Sequence, residues 1–281
     1  MCVLPDTDPN QAWIKKVLAE LPNNQGEIKA AVLVHPTYQG YANDPTEIIA
    51  TLQEQGLSVL VDEAHGSHLA AAIDPDLPPS SLHCGADLVV HSLHKSAAGL
   101  AQTAVLWHQG QRVDPERVER CLGWIQTTSP SALLLASCES ALQQLASPRG
   151  RRDLANRINE ARLLKSRLIQ SGVPLIDTQD PLRIVLHTGS AGISGVDADE
   201  WFIKNGLIAE LPEPGTLTFC LGFVVCRDRL FFIYPPIAPL ESGSAWRPAI
   251  YQSAQAVPEE FLIKESEEKP IQRKGIKVLE N

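Results

Sequence analysis

The six cysteines of the 281-residue chain (Cys2, Cys84, Cys121, Cys138, Cys220 and Cys226) include no C-x-x-C pair and no compact spacing. That argues against a secreted disulfide framework and for reduced thiols packed as small apolar residues. Runs of five or six basic residues are also missing, and the formal net charge is -9. The electrostatic footprint of a nucleic-acid binder is therefore excluded. No apolar run reaches the roughly 18 residues of a membrane span, and "MCVLPDTDPNQAW" has neither a basic n-region nor an apolar h-region. The expectation is a soluble, cytoplasmic protein with no membrane or nucleic-acid partner. Lysine is locally scarce too: Lys95 is the only lysine between Lys29 and Lys165, an interval that holds eight arginines.

What is present is core-forming material, 44% hydrophobic residues, enough for one large domain and a smaller one. "AAVLVH" reads as a buried strand stopped by Pro36. "NDPTEIIATLQEQG" reads as a helix with Asp44 at its N-cap, Pro45 at its first position and Gly56 as its stop. "LSVLVDEAHG" is a second strand, which completes a strand, helix, strand unit of parallel-crossover length. "ADLVVHS" and "QTAVLWH" extend the sheet, and their apolar runs suit strands covered on both faces.

Ser129 and Pro130 are expected to cap and start a helix through "SALLLASCESALQQLA". The spacing of Leu154, Ile158, Ala161, Leu164 and Leu168 predicts a long amphipathic helix that opens a second unit. "LRIVLHT" and "TLTFCLG" are its candidate strands and "DADEWFIKNG" its helix. The fold class is thus α/β, a large domain over 1–150 followed by a small α+β domain over 151–222. The proline-rich and then charged text of 223–281 suggests an irregular, partly disordered tail.

Three constellations bear on chemistry. "DEAH" at Asp62 to His65 matches by letters the magnesium motif of nucleic-acid helicases, but no G-x-x-x-x-G-K-[ST] phosphate loop accompanies it. The H-x-x-H pairs His65/His68 and His91/His94, with His83 and Cys84 nearby, raise a transition-metal site; no H-E-x-x-H or cysteine pair supports one, and strand residues three apart face opposite ways. No metal site is expected.

The third constellation joins Asp62, at the carboxyl end of one strand, to Ser92, His94 and Lys95, at the end of another. Ligands of open α/β sheets bind outside those ends. A lysine there can form a Schiff base with an aldehyde. Ser92, His94 and the N-terminus of a helix at "SAAGLAQ" would suit a phosphate, and Asp62 would keep a pyridine nitrogen protonated. Aldehyde, phosphate and pyridine occur together in pyridoxal phosphate. The same residues also fit a turn-capping acid and a solvated loop lysine, and spacing alone leaves both readings open.

The blocks "HPTYQG", "VDEAHGSH", "SLHKSAAGLAQTAVL" and "TTSPSALLLAS" resemble, in this order and over about residues 25–222, those of the Orn/Lys/Arg decarboxylases with the aspartate-aminotransferase fold. The serine, histidine and lysine of "SLHK" are the most specific match. The resemblance implies a partial aspartate-aminotransferase-like large domain and pyridoxal 5'-phosphate held on Lys95. It also implies Asp62 at the pyridine nitrogen, Ala64 against the ring, Ser92 and His94 at the phosphate, and His65 or Lys95 as proton donor.

Thr127, Thr128 and Ser129 match a block near a dimer-related active site, which implies a homodimer or association with a complementary chain. The implied reaction is decarboxylation of arginine, lysine or ornithine to agmatine, cadaverine or putrescine, a polyamine-forming lyase step. Family members carry well over a hundred residues before the "PTY" block, against 35 here, and many have asparagine where His35 stands. The chain is accordingly expected to be truncated: either a decarboxylase that lacks some cofactor contacts, or a non-catalytic remnant or half of a split enzyme.

Overall fold

A computed structural model of the chain describes residues 28–222. The expected tail over 223–281 lies outside them, as do Cys2 and Cys226; the four cysteines within them carry free thiols. No helix among the described residues is long and apolar enough to cross a membrane.

The first sheet has the order β1 (Ala30–Val34), β2 (Ser58–Asp62), β3 (Leu88–Ser92), β4 (Ala104–His108). The first three strands are parallel and β4 runs antiparallel to β3. The crossover from β1 to β2 carries α1 (Thr46–Glu54), which buries Ile49 and Leu52 against Leu33, Val59, Val61 and Val89. Each such side chain contributes about 1.5–3 kcal/mol of transfer free energy. The helix starts one residue later than expected: Pro45 is its N-cap and makes no side-chain cap bond, and Asp44, expected at that position, lies before it and accepts from the Thr46 amide at 2.9 Å.

The direction of β4 follows from chain length. Only residues 93–103 separate it from β3, and they hold the one-turn helix α2 (Leu93–Ser96). A parallel return needs a crossover of about a dozen residues or more, so the chain doubles back.

Two expectations are corrected here. β3 and β4 are not covered on both faces among the described residues: β3 alternates half-buried and buried positions and β4 has no buried residue, while β1 alternates exposed and buried, with Val32 62% exposed. Nor does "SAAGLAQ" form a helix. α2 stops at Ser96, and Ala98 and Gln102 take left-handed φ values of 57° and 75°, which an α-helix cannot accommodate.

α3 (Pro115–Ile125) buries no residue and ends on Trp124 and Ile125, 76% and 82% exposed. α4 (Ala132–Ala146) starts later than expected. Its cap is Ser131, whose hydroxyl accepts from the Leu134 amide; the Thr127 hydroxyl instead takes the Ser129 amide and holds 127–129 in a turn.

α5 (Pro148–Gln170) has Ser147 as its cap and buries Leu154, Ile158, Ala161 and Leu168, with Leu164 packed alongside, the stripe its spacing predicts. It leads into an antiparallel sheet of order β5 (Leu175–Ile176), β6 (Arg183–Leu186), β8 (Leu217–Cys220), β7 (Leu211–Pro212), with α6 (Gly195–Lys204) between β6 and β7. Phe202 of α6 meets Phe219 of β8 edge-on at 5.0 Å between centroids.

One core joins Leu93 and Ala97, beside α2, through α4 and α5 to this second sheet. Polar contacts reinforce the junction. The Arg151 guanidinium donates to the Ala71 carbonyl at 2.6 Å, Arg162 pairs with Asp74 at 2.6 Å, and the Asp180 amide donates to the Gly40 carbonyl at 3.0 Å.

Candidate functional site

The carboxyl ends of β1, β2 and β3 open on the same side because the strands are parallel, and three loops meet there: 35–42, 63–68 and 93–103. Asp62 is the last residue of β2 and exposed; its Oδ1 accepts from the Ala64 amide at 3.1 Å, which leaves the rest of the carboxylate facing solvent. Ser92 ends β3 and precedes α2, half-buried and without a capping hydrogen bond. His94 and Lys95 follow, both exposed. His94 Nδ1 lies 2.9 Å from the Thr103 carbonyl, so the nitrogen facing that oxygen carries the proton.

Lys95 Nζ lies 3.2 Å from His65 Nε2. Lys95 and His65 stand 30 positions apart in sequence, and the parallel pairing of β2 with β3 brings them together. The ring of His65 is 8% exposed and lies 4.2 Å from the Tyr38 ring between centroids. Its Nδ1 is 3.0 Å from Arg183 Nη2. Burial first, then the Arg183 and Lys95 charges, push the imidazole down to about 3 from its usual 6.5.

Behind His65 the second sheet contributes a buried set. Arg183, 3% exposed, lies 3.9 Å from Asp180, and Asp180 lies 3.3 Å from His68. Burial works to raise the Asp180 carboxyl, but the His68 and Arg183 charges outweigh it and hold the group far below the usual carboxylate range.

Tyr38 donates to Glu210 at 2.5 Å, and burial followed by that carboxylate raises its hydroxyl well above the usual phenol range. Burial also pushes the nearby Cys220 thiol up to about 11.

The histidine pairs diverge. His91 points into the core, where Trp107 Nε1–H donates to its Nδ1 at 2.9 Å. Its Nε2 must then carry the ring proton and donate to Glu63 Oε1 at 3.0 Å. The Ser80 hydroxyl and Ser81 amide complete the carboxylate's shell at 2.5 and 2.7 Å. Burial opposes ionisation of Glu63, yet His91, Ser80 and Ser81 keep it below the usual range. The second letter of "DEAH" is thus a core anchor that ties β2 to β3 and to the 80–81 loop.

The structure brings His65 and Lys95 into contact and sets Asp62, Ala64, Ser92 and His94 along the same rim. Thr127, Thr128 and Ser129 lie exposed in the turn before α4, with no contact to that rim among the bonds described. Sequence reading missed Arg183, Asp180 and Tyr38. Tyr38 stood inside "HPTYQG", which was noticed as a block only, and "DPLRIVL" carried an acid and an arginine three apart before a strand, a pairing that registers as a site only once the fold brings His65 to it.

The donor set can be tested against pyridoxal phosphate. An exposed amine, an exposed carboxylate and a serine hydroxyl on one sheet edge fit its aldehyde, pyridine nitrogen and phosphate. The expected phosphate-facing helix is absent, and His94 gives its Nδ1–H to the Thr103 carbonyl, so that part of the fit rests on the Ser92 hydroxyl.

The family model "Orn/Lys/Arg decarboxylase, major domain" matches residues 3–188. An arginine decarboxylase of Bacillus subtilis (strain 168) is 32% identical over 202 residues, 68% of this chain and 40% of the relative. The uncharacterized protein YaaO of the same organism is 31% identical over 217 residues, 74% of this chain and 44% of its own. An arginine decarboxylase of Bacillus cereus is 30% identical over 198 residues, 67% and 42% respectively. The chain spans less than half the length of these relatives.

Proposed function

We propose that this chain, which belongs to the Orn/Lys/Arg decarboxylase family, forms part of a pyridoxal-phosphate-dependent decarboxylase of a basic amino acid, with Lys95 as the residue that holds the cofactor. The observation that carries the reading is Lys95 Nζ at 3.2 Å from His65 Nε2, on the sheet edge that also bears Asp62 and Ser92. Arginine is the first substrate to test, since two of the relatives carry the name arginine decarboxylase; lysine and ornithine are the others.

Each side chain has a role its chemistry permits. Lys95 supplies the amine, and its exposure leaves it open to a carbonyl compound. Asp62 supplies the carboxylate that keeps a pyridine nitrogen protonated. Ala64 gives a small surface for the ring to lie on, and Ser92 offers a hydroxyl donor to a phosphate, the Nδ1–H of His94 being committed to the Thr103 carbonyl. His65 offers a ring nitrogen beside Lys95 for proton transfer. When bound, the cofactor would accept the electron pair left as carbon dioxide departs.

The purified chain mixed with pyridoxal phosphate should develop the visible absorbance of a protonated Schiff base of this cofactor. Borohydride should then fix the label on Lys95, and Lys95→Ala should abolish both signals. Carbon dioxide release from arginine tests the reaction itself. A chain that stays colourless and unlabelled would sink the reading.

A second reading is that the chain associates with another polypeptide, either a copy of itself or a complementary chain, and is not catalytic alone. Exposed apolar surface favours it: Val32 and Val34 on β1, which is an edge strand among the described residues, and Trp124, Ile125, Leu133 and Leu135 on α3 and α4. Light scattering decides between a 30.6 kDa monomer and a larger species. An active monomer would count against this reading.

A further inference from the structure

We propose that Arg183 is a positioning residue that fixes the tautomer of His65, so that the imidazole presents an N–H, not a lone pair, toward the Lys95 nitrogen. The inference rests on the reading of Lys95 as the cofactor-bearing residue for its use in catalysis, but the tautomer itself needs no cofactor.

The argument is one of donors and acceptors. A guanidinium has only N–H groups and stays charged, so at 3.0 Å from His65 Nδ1 it can only donate. Nδ1 must then hold a lone pair. A neutral imidazole carries one N–H and one lone pair, which puts the proton on Nε2, the nitrogen 3.2 Å from Lys95 Nζ. Were the lysine also to donate to the ring, both nitrogens would need lone pairs, which is an imidazolate; the buried Arg183, at the shorter distance, takes the single lone pair, whereas the exposed Lys95 can turn its hydrogens to water. Burial and the Arg183 charge push the ring down to about 3, so it is neutral around pH 7 and the one-proton rule applies.

Arg183 is itself held in place. Gly40 lies against its stem so closely that an added Cβ would sit 2.8 Å from both Arg183 Cβ and Cγ. Asp180 lies 3.9 Å from Nη1, and the His65 carbonyl takes a longer 3.5 Å contact from Nη2. The Tyr38 ring covers the imidazole. The second sheet therefore sets which His65 nitrogen bears the proton at a rim built by the first sheet. Outer partners that fix a histidine's tautomer serve metal sites and catalytic bases in the same way.

The functional consequence is that His65 offers an N–H to the Lys95 nitrogen, which accepts it as the neutral amine, since an ammonium has no lone pair. Of the two candidate proton donors at this rim, it is the one whose proton is already oriented.

Histidine-selective ¹⁵N labelling with long-range proton–nitrogen correlation tests this on the cofactor-free chain, with the His65 signals assigned by their loss in His65→Gln. Nε2 should be pyrrole-type and Nδ1 pyridine-type. In Arg183→Met the two tautomers should mix, and Arg183→Lys should restore most of the original pattern, because it returns a donor to Nδ1.

A pyridine-type Nε2 in the unsubstituted chain overturns the proposal, whether or not the Arg183 variants fold. So does a pattern unmoved by Arg183→Met. Borohydride labelling of Lys95, run in parallel, reports on the cofactor reading alone, so the two can fail separately.

Discussion

Asp180 and His68 meet at 3.3 Å with neither side chain exposed to solvent. Asp180 lies in the approach to β6 and His68 at the start of the 3-10 turn Leu69–Ala71, so the contact closes the second sheet onto the loop that follows Asp62. The two nitrogens of His68 are not aligned for a hydrogen bond, so the contact sets a carboxylate oxygen against an imidazole in a dry setting.

Removing Asp180 leaves the buried Arg183 guanidinium without the carboxylate 3.9 Å from it. Asp180→Ala is expected to cost about 3–5 kcal/mol in urea unfolding. A loss below about 1 kcal/mol, the scale of an exposed pair, would show that the buried set is held by packing alone.

The Glu63, His91 and Trp107 chain makes a graded prediction. Trp107→Phe keeps the ring volume roughly but strips the donor from His91 Nδ1, and should cost about 1–3 kcal/mol for the orphaned buried group. Glu63→Ala removes the acceptor of three hydrogen bonds and should cost more than Trp107→Phe. Equal losses would contradict the order of donors assigned here.

Gly40 has φ of +96°, and an added Cβ would meet the stem of Arg183. Gly40→Ala should therefore destabilise by more than the ~1 kcal/mol of an ordinary glycine replacement at positive φ. It should also disturb the His65 nitrogen signals, although residue 40 bonds to neither ring nitrogen. Unchanged signals would separate Gly40 from the positioning of Arg183.

Stability should fall with acid through His65. Its folded value of about 3 lies below the usual 6.5, so between those limits the unfolded chain binds the proton and the folded chain does not. The stability is complete above pH 6.5 and is lost as pH falls toward 3, with a slope of up to ~1.4 kcal/mol per pH unit from this one group. Urea midpoints measured at intervals from pH 7 to 4 should show a shallower fall in His65→Asn. An equal fall would assign the acid sensitivity to other groups.

The elements that read clearly in the sequence were those whose signals are local. The apolar stripe Leu154, Ile158, Ala161, Leu168 is buried as its spacing requires, because helical periodicity alone sets which residues share a face. The β1, α1, β2 unit follows from its lengths. Ser129 is not the cap because the helix begins two residues further on, at Ser131, with 127–129 folded into a turn before it, and "SAAGLAQ" failed as a helix because its residues go left-handed to turn back into β4. Both depend on short-range competition that residue types do not rank.

By itself the sequence determined the pattern of strands and helices, the family, and the cluster of Asp62, His65, Ser92, His94 and Lys95 as the residues to watch, since each sits at a strand end where parallel pairing gathers side chains. The tertiary structure decided what those residues face. Glu63 turned inward to His91, Arg183 arrived from 118 positions away to donate to His65, and His65 came to stand between it and Lys95. Hydrogen-bond direction and burial depend on what packs from the other sheet, and no local pattern encodes that.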